Sequence, residues 1–382
     1  MHACCTTGYL RETISRVQMM VPWLSQPAAR RYTDADFDGF TIAMIHARPR
    51  LALLGCGAVT EKRYALSLAA QQWTPAVLID PSAERRRVLA EALGAKPVEA
   101  ARAADVLDEF DAVIAALPHA LHHPLCVELL RAGKHVLVEK PMAHTSAACA
   151  AMNQAAADGG AKLAVALQRR QSKAGQWLKE ALGAGALGKP QRFVIHDGSE
   201  YAWPLASDFA WRKESAGGGV LIDTGAHVMD QVIWWFGEPE SFEYYDDSDG
   251  GVEAEALVNL RWASGLEGLV ELTRTRPVSN MVTLHTDKAK VQLPTVGEEL
   301  RVSGAKYASP KLGRPPFPAA SSQVFFDRQL VEFERLLRGE PAVMASGEEG
   351  ARSVELMERC YASRRRLDHP WLAYSSKEEL TP

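Results

Sequence analysis

Short apolar runs alternate with amphipathic stretches between residues 50 and 168, the pattern of buried strands separated by helices. Arg50 to Gly55 is the first run, followed at once by Gly55-Cys56-Gly57-Ala58-Val59-Thr60 and a helical stretch to about Ala70. Ala76 to Ile79 is the second strand and ends in Asp80. A helix over 83–93, a short strand near Pro97-Val98, strand Asp111 to Leu117 and a helix over Leu121–Ala132 come next. Strand His135 to Glu139, a helix from Ser146 to Ala157 and strand Lys162 to Leu167 complete the series. Such alternation predicts a doubly wound parallel sheet, a Rossmann-type fold whose ligands lie beyond the carboxyl ends of its strands. Those ends carry Gly55–Thr60, Asp80, Pro118–His122 and Glu139-Lys140-Pro141.

The period changes after Gln168-Arg169-Arg170. A helix over Ser172–Leu182 and a strand from Gln191 to Tyr201 lead into the loop Trp203–Lys213 and a long helix between Gly217 and Gly237. Strand-like runs follow near 239–246, 253–262, 266–275, 279–285 and 289–293, joined by hairpin-length turns, which predicts a mostly antiparallel sheet. The prolines of Pro310–Pro318 mark a loop, and helices over 323–338 and 347–365 close the pattern, the second opened by the capping box Ser346-Gly347-Glu348-Glu349. The expected division is an N-terminal extension 1–49, a dinucleotide-binding domain 50–168, and a C-terminal α/β domain 169–382 for substrate binding and oligomerisation, its last helices packing back on the first domain.

Within the long helix, Asp223, Thr224, His227, Asp230 and Gln231 share one arc, opposite Leu221, Ile222, Val228, Met229, Val232 and Ile233. The polar arc lacks Lys, Arg and Glu, so it suits a wet cleft better than a solvated face. Asp223 and His227 are i, i+4 neighbours whose side chains project together. Three glycines, Gly217 to Gly219, let the backbone approach something closely.

A strand, a Gly-x-Gly turn, a helix, a second strand and an acid are together the requirement for dinucleotide binding. Gly55 permits the tight turn, Gly57 admits the pyrophosphate to the first helix amides, and Asp80 is placed to accept the adenosine-ribose hydroxyls. Asp80 would repel a 2′-phosphate, so NAD is expected, with NADP the alternative; Arg85, Arg86 and Arg87 are expected in solvent. The net charge of −4 gives no case for nucleic acid or an anionic membrane, and no apolar stretch is long enough to span a bilayer. Six cysteines show no CxxC pair and no metal-ligand spacing, which reads as reduced thiols in a cytoplasmic protein without a metal. The first 49 residues fit either an arm packed on the fold or residues upstream of a start at Met44; a chain beginning at Met44 is expected to fold and bind nucleotide.

Gly55-Cys56-Gly57, Glu139-Lys140-Pro141, Trp211-Arg212, Gly217-Gly218-Gly219 and Asp223-x-x-x-His227-x-x-Asp230 together resemble the Gfo/Idh/MocA family of pyridine-nucleotide oxidoreductases over residues 50–365. The resemblance implies a secondary hydroxyl of a sugar, nucleotide sugar or cyclitol as the reacting group. It matches Lys140, Asp223 and His227 to the family's catalytic lysine, aspartate and histidine. It also implies pairing through the C-terminal sheet into a homodimer or homotetramer. Pro118-His119-Ala120-Leu121-His122 resembles a family Pro-Asn-x-x-His segment with His119 in place of asparagine, and Thr60 stands where a small residue is usual.

Oxidising a carbinol needs a hydride acceptor, a base for the hydroxyl proton, and a group that steadies charge on oxygen. His227 suits the second task and Lys140 the third, with Asp223 orienting substrate or Lys140. The residues expected at the cofactor are Gly55, Cys56, Gly57, Ala58, Val59, Thr60, Asp80, Pro118, His119, His122, Glu139 and Lys140. Those expected at the substrate are Arg169, Trp203, Trp211, Arg212, Asp223 and His227. Two other readings stand beside the dehydrogenase or reductase: a redox-neutral glycosidase or epimerase that retains NAD, and a non-catalytic nucleotide-sensing regulator.

Overall fold

Three buried, largely apolar runs and one mostly exposed strand build the parallel strands of the first of two units, Met1–Ile114 and Ala115–Pro382, into which the chain's contacts group. The computed structural model describes residues 48–204, 208–304, 317 and 320–367. The expected extension up to residue 47, Cys4, Cys5 and most of the Pro310–Pro318 loop lie outside the described residues.

In the first unit, β1 (Leu51–Leu54), β2 (Val77–Asp80), β3 (Lys96–Glu99) and β4 (Ala112–Ala115) run in the order β4-β1-β2-β3. β1 pairs parallel with β2 through Ala52↔Val77, and β2 with β3 through Val77↔Lys96. Every residue of β1, β2 and β4 is buried, as expected for strands covered on both faces. A π-helical turn, Thr60–Tyr64, runs into α1 (Ala65–Ala70). Ser82 caps α2 (Ala83–Leu93) by accepting from the Arg85 amide, and Gly94 closes it in the left-handed conformation.

In the second unit, β5 (His135–Glu139) and β6 (Leu163–Ala166) pair parallel around α3 (His122–Arg131) and α4 (Ser146–Asp158). The short β14 (Ala345–Ser346) adds antiparallel to β6. The second sheet contains β7 (Pro190–Gly198), β8 (Ser241–Asp246), β9 (Glu255–Arg261), β10 (Glu267–Thr273), β11 (Met281–Thr286), β12 (Lys290–Pro294), β13 (Arg301–Ser303) and β15 (Arg365–Arg366). Its order is β13-β12-β11-β7-β10-β9-β8-β15. β7 lies parallel to β10, and β15 to β8; the other pairs are antiparallel. The fold is therefore the α/β arrangement read from the sequence, a Rossmann parallel sheet followed by a large, mostly antiparallel one. The strands β13, β14 and β15 carry only two or three residues each, too few to show a period.

Alternation decides which face of the second sheet is covered. Val258, Leu260 and Trp262 are buried, while Leu257 and Asn259 are half-buried and Arg261 is exposed. Phe193 of β7 stacks on Phe236 at 4.9 Å, with Trp262 edge-on at 5.7 Å, which anchors the end of the long helix on the sheet. After α5 (Lys173–Gly183) and α6 (Lys213–Ala216), that long helix is α7 (Val220–Phe236). It is followed by α8 (Ser322–Leu337) and α9 (Gly347–Ala362), whose Ser346–Glu349 capping box is formed in both directions. The cysteines Cys56, Cys126, Cys149 and Cys360 are buried free thiols.

The polar arc of α7 does not line a wet cleft along its length. His227, Asp230 and Gln231 are buried, and only Asp223 and Thr224 are half-exposed. Asp230 is held by Arg170 through two hydrogen bonds of 2.9 and 2.7 Å, so the far part of the arc faces an internal ion pair. The glycines before α7 also meet protein. Gly218 lies against Tyr361 and Gly219 against the Glu253 backbone. The Glu253 carboxylate accepts the amides of Gly219 (2.8 Å) and Leu221 (2.9 Å) and the Tyr361 hydroxyl (2.8 Å), capping α7 from a distant residue. No local signature reveals such a cap.

A Cβ at Gly219 would sit 1.9 Å from the Glu253 carbonyl oxygen and 2.4 Å from its amide nitrogen, both backbone atoms. Gly219→Ala is expected to destabilise the protein by about 1–3 kcal/mol, the usual cost of overpacking. Thermal unfolding checks this; an unchanged melting temperature would show that the start of α7 can shift freely.

Candidate functional site

The dinucleotide turn lies in the first unit. Gly55 adopts φ +100° as β1 ends, a conformation that favours glycine. A side chain at Gly57 would meet no atom within 4 Å, so the turn leaves open space before the helix, and Gly57, Ala58 and Val59 are half-buried. The Thr60 hydroxyl donates to the Gly55 carbonyl at 2.7 Å and is wholly buried. Threonine here therefore braces the turn from inside. Asp80 accepts the Cys56 amide on one oxygen and the Ser82 amide on the other, each at 2.7 Å. Each carboxylate oxygen retains capacity for a further donor such as a ribose hydroxyl. Burial and the nearby Asp80 push the Cys56 thiol far up, so it is no nucleophile. Arg86 is not in solvent as expected: it donates to the carbonyls of Asp80 (2.5 Å) and Pro81 (2.9 Å). Arg87 pairs with Glu91 on the surface.

Lys140, Asp223 and His227 all lie in the second unit. Lys140 follows β5, and its ammonium donates to Asp223 Oδ1 at 2.5 Å and to the Asp223 carbonyl at 3.1 Å. The other carboxylate oxygen accepts from Arg274 at 2.8 Å. Burial works against charge on Asp223, but the Lys140 ammonium and then the Arg274 guanidinium outweigh it and hold the carboxyl well below the usual range. The sequence pattern extends β10 to residue 275. β10 ends at Thr273, so the alternation stops; Arg274 turns inward while Arg276 meets Glu255 and Glu271.

His227 sits one turn beyond Asp223 and is 6% exposed. Its Nε2 lies 3.5 Å from the Gln168 amide nitrogen, and its Nδ1 is buried with no hydrogen-bond partner among the described residues. Burial first, then the charges of Lys140 and Arg169, push its pKa well below the ordinary histidine value; the ring is a neutral imidazole at neutral pH. Arg169 is itself buried and paired with Asp197 of β7.

The remaining expected residues have varied partners. His119 Nδ1 lies 2.9 Å from the Ala216 carbonyl, which accepts only, so the proton sits on Nδ1. Burial, with His122 and Lys140, lowers its pKa to about 3. His122 is enclosed, with ring nitrogens 2.8 Å from the Pro141 carbonyl and 3.0 Å from the Leu117 carbonyl, and burial lowers it to about 4. Its partners are those of a brace between the segments after β4 and β5. Pro118 opens the turn before His119, and the buried Glu139 carboxylate accepts the Lys140 amide at 3.1 Å. Trp203 and Trp211 are exposed. Trp211 lies edge-on to Tyr201 at 5.0 Å, and the Tyr201 ring lies 5.0 Å from the Arg274 guanidinium. Arg212 is exposed and paired with Asp208.

Gln168 and Arg274 were absent from the residues expected at this site. Gln168 was legible only as the end of a strand, while Arg274 lay in the Thr273–Arg276 run, where a misplaced strand end hid it. No group of His, Cys, Asp and Glu among the described residues has the geometry to hold a metal, and no helix among them is long and apolar enough to cross a membrane.

A glycine turn ending on a helix, with an acid at the next strand end, and a lysine after β5 in contact with an aspartate of α7 that also carries a histidine one turn on, define a nucleotide-dependent oxidoreductase class. Residues 50–167 match the profile of the Gfo/Idh/MocA oxidoreductase family's NAD-binding Rossmann fold, and residues 176–292 match that of a Gfo/Idh/MocA C-terminal domain. The chain belongs to this family, and its first sheet is the family's NAD-binding domain. It is 31% identical over 181 residues to a dTDP-3,4-didehydro-2,6-dideoxy-alpha-D-glucose 3-reductase of Streptomyces violaceoruber, covering 47% of this chain and 52% of the relative. It is 29% identical over 234 residues to a levoglucosan dehydrogenase of Pseudarthrobacter phenanthrenivorans, covering 51% and 60%. The matched region thus spans between half and two thirds of these relatives. The fold is similar to that of the WlbA dehydrogenase from Bordetella pertussis, solved with NADH and UDP-GlcNAcA, at a TM-score of 0.71 and 23% identity, covering 83% of this chain and 95% of that one.

The open space at Gly57 is the cradle a pyrophosphate requires. Gly57→Ala should leave the melting temperature unchanged and weaken NADH by about tenfold, equivalent to about 1.4 kcal/mol. In the same fluorescence titration NADPH should bind the wild type more weakly than NADH, because Asp80 stands at the end of β2. Equal affinities for the two nucleotides would overturn the role of Asp80.

Proposed function

We propose that the protein is an NAD-dependent dehydrogenase or reductase acting on a secondary hydroxyl of a sugar, nucleotide sugar or cyclitol. The carrying observation is the half-buried Lys140–Asp223 pair, 2.5 Å apart, with neutral His227 one helical turn away. Bound NAD supplies the hydride acceptor. Gly55, Cys56, Gly57, Ala58, Val59 and Asp80 hold it in this reading, with Thr60 bracing the turn. His227 takes the hydroxyl proton as a neutral imidazole, the Lys140 ammonium steadies charge on the oxygen, and Asp223 keeps that ammonium in place. His119, Pro118 and Glu139 border Lys140 in the chain's turns, and His122 supports them through Pro141.

The substrate class is supported by the relatives, named for a nucleotide sugar and for levoglucosan, and by the family resemblance. Exposed Trp203 and Trp211 offer apolar faces for a sugar ring, a mix of aromatic and polar groups usual in pockets. Buried free cysteines support a reducing, cytoplasmic setting. A panel of sugars and cyclitols with NAD, followed by absorbance of the reduced cofactor, tests the whole reading; no turnover with any member would refute it.

His227→Ala and Lys140→Ala should each lower kcat by roughly 10²–10⁴-fold, the worth of a positioned proton-transfer group. Asp223→Asn should raise KM as well. Because the His227 pKa lies well below its ordinary value, the base is already deprotonated at pH 6.5. The acid limb of kcat/KM should therefore fall below that pH. A His227→Ala enzyme with more than about a tenth of wild-type kcat would eliminate this residue as the base.

The outward rungs of the second sheet support an oligomer. Asn259, Leu269, Val194, Thr283 and Gln292 align across five strands, and each is half-buried. Tyr245, Leu257 and Met281 stand on neighbouring positions of the same face. We propose that this face pairs with a second copy to give a dimer or tetramer; light scattering at micromolar concentration should show at least twice the chain mass, and a monomeric mass would contradict the pairing.

A further inference from the structure

We propose that Arg274 is a positioning residue for the reaction above, fixing one oxygen of Asp223 so that the other faces Lys140. The assignment rests on that proposed reaction but stands on independent geometry. Arg274 follows β10, and its backbone is locked on both sides: its amide donates to the Ala254 carbonyl and its carbonyl accepts from Tyr201, each at 2.9 Å. Its guanidinium donates to Asp223 Oδ2 at 2.8 Å and to the Gly219 carbonyl at 3.1 Å, so it grips the catalytic carboxylate and the start of α7 together.

What sets Arg274 apart is what it leaves unmade. The side chain is 8% exposed, yet its Nε and second terminal nitrogen have no hydrogen-bond partner among the described residues. Unpaired buried donors cost stability, and an apolar side chain of similar volume is often tolerated as well or better in such a place. A residue kept only for packing would not need this charge. The groups facing Asp223 are Lys140, Arg274, His119, His227 and Tyr201, and none of them is an anion; Glu253 caps the same helix start through Gly219 and Leu221. Two cations therefore share one carboxylate. With one oxygen held by Arg274, the carboxylate cannot rotate away from Lys140, and the ammonium keeps a single direction.

The variants Arg274→Met and Arg274→Lys test this. Asp223 retains Lys140 in Arg274→Met, so the melting temperature should stay within a few degrees of wild type, while kcat falls by about tenfold or more. Arg274→Lys should restore much of the wild-type kcat. An activity-free readout is the ¹³C carboxyl titration of Asp223, assigned by its absence in Asp223→Asn; its midpoint should rise in Arg274→Met. An unchanged midpoint, or a melting temperature that collapses in both variants, would overturn the positioning role. A raised midpoint beside an Asp223→Asn enzyme of full turnover would support the grip on Asp223 and refute the proposed reaction instead.

Discussion

The start of α7 is the constraint on which the second unit depends. This helix is buried along almost its whole length, so its first amides cannot rely on water. Glu253 satisfies two of them, and Tyr361 in turn donates to Glu253. Both partners come from elements distant in sequence, a loop before β9 and the helix α9. The same helix start presents Asp223 in its first turn, where the dipole favours a carboxylate. The cap and the Asp223 carboxylate are thus fixed by one piece of backbone. This explains why Gly218 and Gly219 have no room for side chains, since bulk there would displace the cap and the chemistry together.

The charge distribution around that helix follows a simple division. Cations are retained where an anion meets them: Lys140 and Arg274 on Asp223, Arg170 on Asp230, Arg169 on Asp197. Imidazoles are retained as neutral groups, because His119, His122 and His227 are buried and face Lys140 or one another. A second or third imidazolium beside Lys140 would add like charge in a poorly solvated place. Neutral imidazoles and fixed cations are thus different residues, the division that the proposed proton removal needs.

Periodicity carried most of the fold. The parallel strands, the long helix, the hairpin strands and the Ser346–Glu349 capping box all depend on neighbours within a few residues, and such signals survive in one sequence. The i, i+4 spacing of Asp223 and His227 belongs to the same class. What sequence could not show is pairing across long separations. Glu253 as a cap, Arg274 on Asp223 and Gln168 beside His227 each join residues 30 or more positions apart. The polar arc of α7 misled for the same reason. Its composition was read as lining a wet cleft, but Asp230 is polar because Arg170 meets it inside the protein. A buried ion pair and a wet cleft leave the same mark on a helical wheel.

The two tasks of the proposed reaction fall on separate parts of the chain. Nucleotide binding uses a backbone turn, the Gly57 opening and Asp80, all within the first unit. Proton handling uses side chains alone, all within the second, and its members are already in contact without a ligand. Preorganised charges of this kind need not be gathered at the moment of reaction, which is where electrostatic stabilisation gains most. Substrate choice is a third task, and it falls on a different kind of surface. Trp211 is exposed, yet it leans on Tyr201, which lies over Arg274, which holds Asp223. A change at that outer indole can alter which ring is accepted while the carboxylate and its two cations stay as they are. In the proposed reaction, the exposed aromatic residues and the charged group around Asp223 are therefore separate sets of side chains, joined through Tyr201 and Arg274.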